Sequence, residues 1–267
     1  MSTKWCRFQA NETNGKVVYG RIDGDSVTAI DGEPWGAHTV TATKHPLTAV
    51  QLLAPVIPPT FYCVGLNYRE HIIASAKRRG IEPKFPQRPD VNYRANNALT
   101  AHGEPIVKPK DAGDIFQYEG ELVVVIGKQR RHISKDKALE HVFGWSIGND
   151  VSERTWQRSD RTGWRAKNSD SFNPMGPWIV SRADCDYRGM TTVVRLNGEE
   201  VDRFQTGAMI HDVETYIEAI SKYCTLYPGD VIWMGTDGAP RNMKPGDVCE
   251  IDIQGIGTLR NPIIAET

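Results

Sequence analysis

The chain has 267 residues, 39% hydrophobic and 24% charged, the profile of a folded soluble protein that can bury a full core. Lys and Arg number 32 against 33 Asp and Glu, a formal net charge of −1, so there is no general electrostatic pull toward nucleic acid or anionic membrane. No apolar run approaches the ~20 residues of a membrane-spanning helix, and the N-terminal MSTKWCRFQA lacks a signal-peptide core, which predicts a cytoplasmic protein.

Residues 1–58 alternate short apolar groups with turn formers and predict a small β-rich domain. Within it, Val17 to Asp25 reads as a hairpin closed by Asp23-Gly24. Pro58-Pro59 separates this unit from a larger domain over 59–267, whose first buried strand is the apolar run Phe61 to Val64. Residues 75–105 are polar, carry prolines at 83, 86, 89 and 105, and show no period. A mobile lid over about 72–100 is expected there, because long structureless connections are more often functional than passive. The basic runs Lys77-Arg78-Arg79 and Arg130-Arg131-His132 read as solvated loops or turns.

From Glu121 onward strands dominate. Leu122 to Ile126 is a continuous apolar run, Thr192 to Leu196 ends in the hairpin signal Asn197-Gly198, and Cys249, Ile251 and Ile253 alternate with polar residues. Helical spacing is confined to a few places: Val213, Tyr216, Ile217 and Ile220 with Asp212 as N-cap, and Ala138, Leu139, Val142 and Phe143. The fold class is therefore mostly β, of the α+β kind. Five cysteines, Cys6, Cys63, Cys185, Cys224 and Cys249, form no C-x-x-C pair, so reduced thiols are expected rather than disulfides or a zinc site.

In Tyr118-Glu119-Gly120-Glu121-Leu122 two carboxylates share one face of a strand that runs into an apolar core. Side by side they repel, and a cation between them is the natural remedy; hard oxygen ligands point to Mg²⁺, Mn²⁺ or Ca²⁺ rather than zinc. A solvated strand end is the plainer alternative. Asp150, after an apolar segment and before a polar helical stretch, is a third ligand or else a helix N-cap. His71 follows the first buried strand, where a general base or a structural histidine would both fit.

These pieces occur together and in order, and the chain resembles the fumarylacetoacetate hydrolase family. The resemblance rests on Val64-Gly65-Leu66-Asn67-Tyr68 with His71, Tyr118 to Leu122, Val125 to Lys128, and Asn149-Asp150-Val151-Ser152-Glu153-Arg154. Further matches are Lys167 to Asp170, Pro174, Asn197-Gly198-Glu199, Pro228-Gly229-Asp230, Gly235-Thr236 and Gly246-Asp247, so that about residues 61–264 are covered. It implies a mixed β-sheet roll around the metal, with a small N-terminal β domain, and a homodimer. It also implies that Glu119, Glu121 and Asp150 bind Mg²⁺ or Mn²⁺, and that Lys167 and Gln157 contact substrate oxygens. His71 would act as base, and Tyr68, Arg154 and Thr236 would contact the substrate, a small oxo-acid. The expected activity is hydrolysis of a C–C bond in an acylpyruvate or β-diketone. Decarboxylation of an oxaloacetate-like acid, isomerisation or hydration of a 2-oxo-diacid, and ligand binding without catalysis are the alternatives.

Three positions depart from the pattern. Ala74 stands where many relatives carry a glutamate that pairs with the histidine. Either Glu70 or a lid acid such as Glu82 replaces it, or the reaction needs no water activated in that way. Tyr93-Arg94-Ala95 replaces an aromatic-Lys-Pro sequence, and Asp237 replaces a proline after Thr236.

Overall fold

A strand with no polar side chain over five residues must be covered on both faces, and Gly120–Ile126 is buried along its whole length. The computed structural model describes residues 2–10 and 15–267, and this strand lies inside a twelve-stranded mixed sheet. Val142–Asn149 and Val231–Trp233 flank it antiparallel, and Phe61–Val64 runs parallel to the latter. Alternation assigns the two faces. Leu122, Val124 and Ile126 join the large core with Trp145, Ile147, Tyr216 and Ile217, while Val123 and Val125 pack on Phe61, Cys63, Met175, Ile179 and Trp233. The strands approach so closely that a Cβ on Gly148 would lie 2.6 Å from the Trp233 ring.

The same sheet continues through Asn173–Ser181 and Lys4–Ala10 into the N-terminal strands, so the β-rich N-terminal segment is joined to it edge to edge. Its hairpin forms as predicted: Asp23 pairs with Ser26, leaving Gly24-Asp25 as the turn with Gly24 at φ 58°. A second sheet of five strands contains Thr191–Leu196 and Glu199–Gln205, whose turn places Asn197 at φ 54° and Gly198 at φ 81°, the left-handed pair that a tight hairpin requires.

Four α-helices lie among the described residues: α1 (Arg69–Arg79), α2 (Arg154–Ser159), α3 (Trp164–Asn168) and α4 (Val213–Ser221). Asp212 caps α4 by accepting the Thr215 N–H at 2.9 Å, as expected. Two expectations need correction. The segment around Ala138 to Phe143 is a 3₁₀ turn over Lys135–His141 that gives way to a strand at Val142, because Val142 pairs with Ile126 in the central sheet. Residues 75–105 are not structureless. Helix α1 carries the basic run 77–79 and ends at Gly80 in the left-handed conformation, and Val91–Tyr93 pairs with Phe61–Val64 as the sheet's edge strand. All five cysteines are free, and among the described residues no helix is long and apolar enough to cross a membrane.

Candidate active site

Register builds the site. Gly120 pairs with Asn149 and Glu121 with Gly148, so Glu119 and Asp150 meet one step further on, where the two strands part. The Asp150 N–H donates to the Glu119 carbonyl at 2.9 Å, and the Asn149 side-chain oxygen accepts the Glu119 N–H at 3.0 Å. Alternation places Glu119 and Glu121 on one face. Carboxylate oxygens of Glu119, Glu121 and Asp150 lie within 4.8 Å of one another, and all three residues are buried. Asp150 is not a helix cap; Glu153 caps α2 instead, accepting the Trp156 N–H.

Three buried carboxylates in one place repel, and their surroundings determine which stay charged. Lys167, on α3, extends its Nζ between two of them, 2.6 Å from Glu119 Oε2 and 2.7 Å from Asp150 Oδ2. Arg154 donates to Glu119 Oε1 at 2.6 Å. Arg94 grips both Asp150 oxygens, Nε to Oδ1 at 2.9 Å and Nη2 to Oδ2 at 2.7 Å, and Asn173 adds a bond at 3.2 Å. Burial raises the Glu119 pKa, but Lys167, Arg154 and His71 outweigh it and hold the carboxyl below the usual range. For Asp150 burial is likewise outweighed, by Arg94 and Lys167. Glu121 differs. Burial, Asp150 and Glu119 all push its pKa well up, and its contact is the Gly235 N–H at 2.8 Å, with no side-chain cation paired to it among the described residues. An all-oxygen donor set with one carboxylate left uncompensated fits a hard divalent cation, with Glu119, Glu121 and Asp150 as the residues that would hold it.

The other expected residues divide. His71, half-buried on α1, is close to this charge cluster and to Gly238, where an added Cβ would lie 3.7 Å from Nδ1. Thr236 is buried next to Gly235. Gln157 is exposed and reaches the cluster only through Arg154, whose Nη1 donates to its Oε1 at 2.9 Å. Tyr68 is buried, and its hydroxyl donates to the Thr206 carbonyl at 2.6 Å. Ala74, Glu70 and Glu82 are all exposed, and the carboxylate acting most strongly on His71 is Glu119 itself. Arg94 and Asn173 were not anticipated as site residues; the one signal was Tyr93-Arg94-Ala95, where the family resemblance implies an aromatic-Lys-Pro sequence.

Burial, opposed by Glu119 and reinforced by Arg154, Lys167 and Arg78, lowers the His71 pKa below its ordinary 6.5. The ring is therefore neutral at pH 7 and able to accept a proton. As pH falls below 6.5 the unfolded chain takes up this proton before the folded one, so the group's contribution to stability is lost on acidification. We expect the acid limb of a kcat/KM profile to lie below pH 6.5 and to disappear in His71→Asn. An acid limb unchanged in that variant would remove His71 from the proton-transfer role.

Residues 60–264 match the family model described as fumarylacetoacetate (FAA) hydrolase C-terminal, and residues 3–55 match one described as Rv2993c-like, N-terminal. Protein Rv2993c of Mycobacterium tuberculosis is 37% identical over 256 residues, covering 93% of this chain and 94% of that protein. Oxaloacetate tautomerase YisK of Bacillus subtilis is 35% identical over 227 residues, covering 81% of this chain and 74% of that protein. Among solved structures, 5-carboxymethyl-2-hydroxymuconate delta-isomerase from Mycobacterium smegmatis superposes with a TM-score of 0.87 at 34% identity, covering 98% of this chain and 100% of that one.

Proposed function

The chain belongs to the fumarylacetoacetate hydrolase family, and from that premise we propose that it is a divalent-cation-dependent enzyme moving a proton at the carbon beside the ketone of a small 2-oxo-acid, as a tautomerase or isomerase. The cation is Mg²⁺ or Mn²⁺, with Ca²⁺ compatible with the same oxygen donors. The observation that carries the reading is Glu121, a buried carboxylate to which no side-chain cation is paired among the described residues, beside Glu119 and Asp150. When bound, such a cation supplies Lewis acidity, drawing electrons from a chelating 2-oxo-acid. Neutral His71 takes the proton from carbon. Lys167 sets a positive charge at the developing oxyanion, where fixed charge in a dry site is most effective. Arg154, tied to Glu119 and to Gln157, orients the ligand's outer end.

Hydrolysis of an acylpyruvate, the first expectation from the resemblance, also needs a water activated by a histidine with its own carboxylate partner. Ala74 supplies none, and Glu70 and Glu82 point to solvent. Enol-forming chemistry, tautomerisation or decarboxylation, needs only the charge cluster and one proton acceptor. The test compares keto–enol conversion and decarboxylation of oxaloacetate with hydrolysis of an acylpyruvate, each with Mg²⁺. Conversion faster than hydrolysis supports the proposal, and Ala74→Glu should then raise hydrolysis; hydrolysis dominating in the wild type would sink it.

A homodimer belongs to the same proposal. Tyr93, Trp164 and Tyr223 are 59%, 66% and 73% exposed, and they border two adjoining grooves with Tyr93 common to both. A second copy would bury them.

A further inference from the structure

We infer that Lys167 competes with the divalent cation for one oxygen of Asp150: Lys167 gives that oxygen up as the cation binds, and its released N–H turns to the oxo-acid. This rests on the metal-dependent reading above. An ammonium carries three N–H donors. Those of Lys167 meet Glu119 Oε2 at 2.6 Å, Asp150 Oδ2 at 2.7 Å and the Asp150 carbonyl at 3.3 Å. All three acceptors belong to residues that would hold the metal. With the side chain buried, this geometry leaves no N–H for a substrate oxygen, although a fixed ammonium in a dry site is the group best suited to stabilise one.

Asp150 is equally committed. A carboxylate offers about four lone-pair positions, two on each oxygen. Oδ1 accepts from Arg94 Nε at 2.9 Å and Asn173 Nδ2 at 3.2 Å, and Oδ2 accepts from Arg94 Nη2 and Lys167 Nζ, both at 2.7 Å. Among the described residues, Glu119 accepts one side-chain donor on each oxygen, Arg154 on Oε1 and Lys167 on Oε2, and Glu121 accepts the Gly235 N–H. Glu119 and Glu121 can therefore take a cation without losing a bond, whereas Asp150 must first release a donor. Arg94 is held by two parallel bonds from a rigid fork, so releasing either oxygen spoils the pair. The bond from Asn173 is longer, and Asn173 also donates to the Phe172 carbonyl at 3.0 Å, but it is neutral. Its departure would leave the ammonium against the incoming cation, and like charges repel most strongly where water is excluded. Lys167 makes a single bond to the carboxylate from the end of a flexible four-carbon stem, and its departure removes the like charge as well. Lys167 is the donor that yields.

Calorimetric titration of Mn²⁺ into wild type, Lys167→Met, Arg154→Met and Asn173→Ala tests the competition, with thermal unfolding to confirm each fold. Lys167→Met should bind Mn²⁺ roughly 10–100-fold more tightly than wild type, the size of effect that groups beside metal ligands commonly exert. Arg154→Met removes a neighbouring charge and Asn173→Ala a neighbouring donor, and each should tighten binding clearly less. Lys167→Met binding no more tightly than wild type overturns the inference. Equal tightening by Arg154→Met, which reduces the effect to net charge, or by Asn173→Ala, which makes Asn173 the donor that leaves, overturns it too. A crystal structure of the wild-type protein with Mn²⁺ reads the exchange without any substitution. Lys167 Nζ out of hydrogen-bond reach of Asp150 Oδ2 supports the inference, and a bond kept there while Asp150 ligates Mn²⁺ overturns it and leaves the metal-dependent reading in place. A wild-type protein that binds no Mn²⁺ overturns that reading, and this inference with it.

Discussion

Asp150→Ala abolishes Mn²⁺ binding and turnover together. Asp150 is one of three clustered oxygen donors and the anchor of Arg94, which grips both its oxygens, and of Lys167 at 2.7 Å. Removing it takes away a ligand and leaves the buried Lys167 and the half-buried Arg94 facing the place where a third cation would bind. The expected loss of Mn²⁺ affinity exceeds about 100-fold, more than outer-shell substitutions typically cause. Thermal unfolding shows whether the fold survives, because breaking a buried ion pair costs about 3–5 kcal/mol. Asp150→Asn, which keeps an acceptor for Arg94, is the milder control and should lose metal with a smaller loss of stability. Mn²⁺ bound by Asp150→Ala as tightly as by wild type would remove Asp150 from the ligand set.

Lys167→Met separates stability from catalysis. Its Nζ touches both Glu119 and Asp150 from a buried position, so methionine leaves two carboxylates repelling each other out of reach of water. Without metal the variant should lose about 3–5 kcal/mol. Saturating Mn²⁺ should restore most of that, since a ligand at 1,000 times its Kd stabilises by about 4 kcal/mol. Turnover should stay down about 10²–10³-fold, because the charge at the developing oxyanion is gone. Denaturant unfolding with and without Mn²⁺, alongside rate measurements, checks both. A variant that Mn²⁺ stabilises no more than wild type would mean that Lys167 is not positioned against the metal ligands.

Most of the frame that holds this site was readable from sequence, and for definite reasons. The run Leu122 to Ile126 has no polar side chain, so it had to be a covered strand, and alternation put Glu119 and Glu121 on one side of it. Asn197-Gly198 carries the residues that tolerate positive φ in a tight hairpin. What was not readable depended on distant partners. Ala138 to Phe143 has helical spacing, but Val142 is claimed by Ile126 across the sheet. The stretch after His71 shows no period because α1 buries only Ile72 and Ala76. Its strand Val91–Tyr93 is three residues long, too short for any pattern to show. Arg94 lies 56 residues from Asp150 in the chain, and nothing local marks it as the carboxylate's partner. Tyr68 belonged to a matching motif, yet its hydroxyl is taken by a carbonyl 138 residues away.

Deuterium exchange reads metal-dependent proton transfer at the carbon beside a ketone, whatever follows that step. Two-oxo-acids of three to six carbons are incubated in D₂O with the protein and Mg²⁺, and loss of the proton signal at that carbon is followed by NMR. Exchange of at least one acid should far exceed the rate with Mg²⁺ alone, stop when the metal is chelated, and be absent in Asp150→Ala and strongly slowed in His71→Asn. Exchange that persists at the wild-type rate after chelation, or no exchange above the metal-only rate with any acid, would contradict the account.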